Sequence, residues 1–89
     1  MIKAKSIHLY GKVQNVGFRY YVYRLACELG VKGFVRNTPD GSVQIEAECE
    51  DRIMDVFVEH CKKGSPHSVV SECTIDQIKV KNYEEFKIC

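Results

Sequence analysis

The hydrophobic period changes once near the start of the chain, and the change is abrupt. From Ile2 to Tyr10 polar and apolar residues alternate, with Ile7 and Leu9 on one face and Ser6 and His8 on the other. That is the period-two pattern of a half-buried strand. From Phe18 onward the apolar residues fall at Phe18, Val22, Leu25, Ala26 and Leu29, one stripe of a helix. Only a short segment with glycine at both ends, Gly11 to Gly17, lies between them. A strand that passes so directly into a helix leads to a right-handed crossover, in which the helix packs back on one face of the sheet.

The rest of the chain yields to the same reading. Gly30 supplies a left-handed end for the first helix. Val31 to Asn37 and Ser42 to Cys49 read as two strands joined by Thr38-Pro39-Asp40-Gly41. Proline second and glycine fourth are the preferences of a type I turn, so the pair is a hairpin. A second helix spans Asp51 to Lys63, with Asp51 as its expected N-cap and Lys62 and Lys63 suiting its negative end. Val69 to Val80 reads as a long strand whose alternation changes phase between Cys73 and Ile78, and Phe86 to Ile88 as a short final one. The order β-α-β-β-α-β specifies an α+β, ferredoxin-like sandwich: an antiparallel sheet with two helices on one face.

Eighty-nine residues make one domain. Net charge is +1, which excludes the broad basic surface that dominates nucleic-acid binding. No apolar run reaches membrane-spanning length, and the N-terminus lacks a signal-peptide core, so the expected location is cytoplasmic. The five cysteines, Cys27, Cys49, Cys61, Cys73 and Cys89, are odd in number and include no C-x-x-C pair. They read as small hydrophobes in a reducing compartment rather than as zinc ligands or a disulfide framework. His8, His60 and His67 show no metal-ligand spacing, and Glu46, Glu48 and Glu50 read as a solvated strand face.

An anion has to be met locally if it is met at all, and Gly11 to Arg19, G-K-V-Q-N-V-G-F-R, is where the residues to do so are found. Glycines let successive N–H groups turn into one concavity. The helix that follows adds unpaired donors and a partial positive charge. Arg19 adds a planar fork that fits a phosphate or carboxylate. An arginine in a helix's first turn is unfavourable against the dipole, a local conflict that an anion would resolve. A solvated arginine beside a purely geometric turn is the alternative reading of the same residues.

This segment resembles the G-x-V-Q-G-V-G-F-R signature of acylphosphatases. A second, Gly33 to Val43, G-F-V-R-N-T-P-D-G-S-V, resembles their G-W-V-R-N-x-x-D-G-x-V. Asn15 and Phe34 stand where that family usually has Gly and Trp, and Cys49 where a glycine commonly ends the third strand. The resemblance implies hydrolysis of the carboxyl–phosphate bond of acyl phosphates, with no cofactor and no metal. It implies that Arg19 and the amides of Asn15, Val16, Gly17, Phe18 and Arg19 bind the substrate phosphate, and that Asn37 orients the attacking water. Asparagine suits Asn15 if that position needs a positive φ, because it is the residue most tolerant of one after glycine. The expected partner is a small-molecule acyl phosphate, with no nucleic acid and no membrane, and the chain reads as a monomer. The alternatives are a non-catalytic anion-binding or regulatory module on the same fold, or a small RNA-binding domain. The last is disfavoured because Tyr20, Tyr21 and Tyr23 fall on the helix, where they read as packing residues, and not on strands.

Overall fold

A computed structural model describes all residues, 1–89. Its elements are β1 (Ile2–Lys12), α1 (Phe18–Leu29), β2 (Lys32–Asn37), β3 (Val43–Glu50), α2 (Asp51–Lys63), β4 (Val69–Ile78) and β5 (Phe86–Ile88). One five-stranded sheet runs in the order β4-β1-β3-β2-β5. The hairpin forms as its turn chemistry predicts, with Gly41 N donating to Thr38 O at 3.1 Å. Both helices lie against one face of the sheet. The alternating residues Ile7, Leu9, Val35, Val43, Ile45 and Ala47 join Phe18, Val22, Ala26, Met54, Phe57 and Cys61 in a single buried core.

Several local expectations are corrected. The sheet is mixed, because β5 pairs parallel to β2 while the other pairings are antiparallel. The irregularity in β4 falls at Ser71, between the partners of Tyr10 and Gly11, and the register from Cys73 to Ile78 is unbroken. The extra residue at Ser71 makes a bulge where β1 runs on past its last pair with β3 and stays paired with β4 alone. The N-cap of α2 is Glu50, with extended ψ of 147°, and Asp51 is the first helical residue. There its charge still faces the positive end of the helix.

The glutamates of β3 are not all solvated. Glu48 is only 4% exposed. Its carboxylate accepts from the Lys81 and Tyr83 amides. Glu46 accepts from Lys81 Nζ at 2.8 Å and Tyr83 Oη at 2.7 Å. Burial pushes the Glu46 carboxyl up, but these hydrogen bonds together outweigh it and hold it below its ordinary value. The segment after β4 is thereby drawn across the open face of the sheet and returns the chain to β2 as β5. All five cysteines are free. Cys49 and Cys61 are buried, and burial pushes the Cys49 thiol up to about 11 and that of Cys61 further still.

Candidate active site

Three segments converge at one end of the sheet: the loop from β1 to α1, the C-terminal end of β2, and the end of β5. They enclose a cleft of about 220 Å³ lined by Asn15, Gly17, Arg19, Tyr20, Asn37 and Ile88, among others. The cleft therefore brings together Asn15, Gly17, Phe18, Arg19 and Asn37. Val16 turns away and lines a groove on the other side of the loop.

Two residues of the loop take the left-handed backbone. Asn15 has φ 60°, the left-handed value its residue type tolerates, and Gly17 has φ 75°. No acceptor within the protein meets the main-chain N–H of any residue from Asn15 to Tyr20, and the first helical bond runs from Tyr21 N to Gly17 O at 3.1 Å. Six consecutive donors are left open at the positive end of α1. No acidic residue occupies the first turn of that helix to compete for them.

Arg19 meets Cys89, the residue that follows β5. Its Nη1 donates to a main-chain oxygen of Cys89 at 2.7 Å, and Cys89 N in turn donates to Val35 O at 2.9 Å. The conflict between Arg19 and the helix dipole is thus partly met inside the protein, by an oxygen 70 residues away in sequence. Asn37, the last residue of β2, has a buried side-chain oxygen with no hydrogen-bond partner. Such orphans are uncommon in folded proteins and each calls for an explanation.

Gln14 is a residue whose part the sequence did not reveal. Its Nε2 donates to Thr38 O at 2.9 Å and to Ser42 O at 2.8 Å, pinning the loop to the hairpin turn that follows Asn37. A glutamine between Val13 and Asn15 gives no sign of its acceptors, which lie 24 and 28 residues on. Tyr20 also departs from expectation. Tyr21 packs against the core, but Tyr20 is 59% exposed at the rim of the cleft.

Comparison with known proteins decides the family. The acylphosphatase family model matches residues 5–88. The chain belongs to the acylphosphatase family. It is 42% identical over 85 residues to an acylphosphatase of Archaeoglobus fulgidus, covering 96% of each chain. Among solved structures, the crystal structure of acylphosphatase from Bacillus subtilis superposes with a TM-score of 0.95 at 36% identity, covering 100% of this chain and 99% of that one. Full-length HypF, in a phosphate- and nucleotide-bound form, contains a similar region: TM-score 0.89, 34% identity, 100% of this chain but 12% of that one. The acylphosphatase fold thus occurs both free-standing and inside a larger chain. Family and fold together support acyl-phosphate hydrolysis. No group of three or more His, Cys, Asp or Glu side chains is placed to hold a metal ion, and no helix is long and apolar enough to cross a membrane.

Proposed function

We propose that the cleft hydrolyses acyl phosphates by direct attack of water on phosphorus. The open amides of Asn15, Val16, Gly17, Phe18 and Arg19, with the Arg19 guanidinium, hold the phosphoryl oxygens. Asn37 orients the water. A side-chain amide can both donate and accept, so it can position a water without ionising. The water oxygen bonds to phosphorus as the bond from phosphorus to the acyl oxygen breaks, and the carboxylate departs with that electron pair. The proton passes to a phosphoryl oxygen of the substrate. A carboxylate is a good leaving group, so catalysis rests on positioning and on donors aimed at the charged phosphoryl group. The observation that carries this reading is the run of unpartnered amides beside Arg19 and the orphaned Asn37 oxygen.

Asn37→Ala tests it. We expect kcat to fall by about 10²-fold or more, as for other lost positioning or transition-state hydrogen bonds. Inhibition by inorganic phosphate should change much less, because Arg19 and the loop remain. Normal kcat in a folded variant would leave the water-orienting group unassigned. A wild-type chain that binds phosphate but turns over no acyl phosphate would favour the alternative, a non-catalytic anion-binding module.

A further inference from the structure

The largest concavity of the molecule lies beside the phosphate cleft and not in it. This groove, of about 540 Å³, runs between α1 and α2 and is lined by Tyr20, Leu25 and Leu29 from one helix and Val56 from the other. We propose that it receives the acyl group of the substrate, and that the enzyme therefore favours acyl phosphates with an apolar chain longer than acetyl. The proposal rests on the hydrolase reading above.

Continuity is the first argument. Gly17 and Tyr20 line both the phosphate cleft and the groove, so they form the rim between them. Space beside Gly17 is open, with no atom within 4 Å of where a Cβ would stand. A substrate whose phosphate sits on the loop amides can lay its acyl group over that rim. From Tyr20 to Leu29 the groove follows α1 for about 13 Å at the usual helical rise, room for several methylene groups.

The lining chemistry selects the occupant. Tyr20 and Val56 leave 59% and 42% of their surface exposed, although both are large hydrophobic residues. The polar side chains of Arg24, Glu28 and His60 nearby have partners. Arg24 lies 3.8 Å from Glu28, and His60 Nδ1 is bonded to Val56 O at 2.9 Å. A neutral chain suits this lining better than a second anion would. Ser65 supplies an independent mark of a ligand. It lines the groove, is 7% exposed, and its hydroxyl has no partner. Tyr21 Oη donates to His60 O at 3.3 Å, which brings the C-terminal end of α2, and Ser65 after it, beside the start of α1.

The test compares acetyl phosphate with hexanoyl phosphate, in wild type and in Val56→Arg. Val56 lines the groove but not the cleft. Wild type should show kcat/KM for hexanoyl phosphate at least about tenfold above that for acetyl phosphate, the scale of a few buried methylene contacts. Val56→Arg should bring the ratio close to one while kcat/KM for acetyl phosphate stays within about twofold, since that substrate does not reach the residue. Val56→Ala, a mild change on an exposed helix face, should lower the ratio by a smaller step of the same sign. A wild-type ratio near one, or equal losses on both substrates in both variants, overturns the groove assignment and leaves the hydrolase reading standing. Absence of turnover with either acyl phosphate overturns that reading, and the proposal falls with it.

Discussion

The turn from Thr38 to Ser42 has its polar groups bonded within the protein, mostly to one another, whereas the loop from Asn15 to Tyr20 leaves its amides open. In the turn, Asp40 Oδ1 accepts from Ser42 N at 3.0 Å, Ser42 Oγ at 2.6 Å and Thr38 Oγ1 at 2.5 Å, and Thr38 N reaches Ser42 O at 2.9 Å. Such a segment has little polar capacity left for a ligand. Its neighbour, with six donors unmatched, needs water or a ligand. The two lie side by side, joined by Gln14. The finished turn therefore serves as the fixed wall against which the open loop, and Asn37 at the turn's start, are held. The proposed phosphate site is the half of this pair whose hydrogen bonding is incomplete.

Three changes probe that contrast. The largest effect should come from Arg19→Lys on the open side, which keeps a charge but loses the planar fork. We expect kcat/KM to fall by about 10²-fold or more, with little loss of stability. Near-normal kinetics would remove Arg19 from the proposed phosphate clamp. Cutting the link comes next. Gln14→Ala removes two part-buried hydrogen bonds, at about 1 kcal/mol of stability for each. It should also lower kcat/KM by about tenfold through misplacement of the loop. A variant that loses stability but no activity would mean that the loop keeps its shape without the turn.

Smallest is the effect on the closed side. Hydrogen bonds from the Ser42 side chain, then the Thr38 side chain and the Ser42 amide, lower the Asp40 carboxyl from its ordinary 3.8 to about 2. A lowered pKa means that folding favours the ionised form. The resulting stabilisation is complete above the ordinary value and is lost as pH falls through about 2. Chemical denaturation across that window should show a slope that Asp40→Asn flattens, while activity near neutral pH is unchanged in that variant. An identical acid slope in both proteins would show that the turn's hydrogen bonds do not set its carboxyl.

Much of this arrangement was legible from residue order. Alternation in β1 and the apolar stripe of α1 located the strand–loop–helix unit, and Pro39 and Gly41 located the turn. Asn15 fulfilled the left-handed expectation because that preference is local, a matter of one side chain and its own backbone. What escaped the sequence depended on distant partners. Glu48 looks like any strand glutamate until the segment at Lys81 to Tyr83 folds over it. The parallel pairing of β5 requires that same return. Gln14 carries no mark of acceptors beyond Asn37, and Tyr20 shares its stripe with tyrosines that pack. For Glu48, β5 and Gln14 the deciding contact closes a loop of about two dozen residues or more, which period and propensity do not encode.

The central claim is that the open amides form the phosphate site. Titrating inorganic phosphate into uniformly 15N-labelled protein and following backbone amide shifts tests it directly. Saturable shifts should concentrate at Asn15 to Tyr20, with the turn amides from Thr38 to Ser42 nearly still apart from Asn37 beside them. Saturable shifts that spare the loop and gather elsewhere, or no saturation at all in the folded protein, would contradict the account.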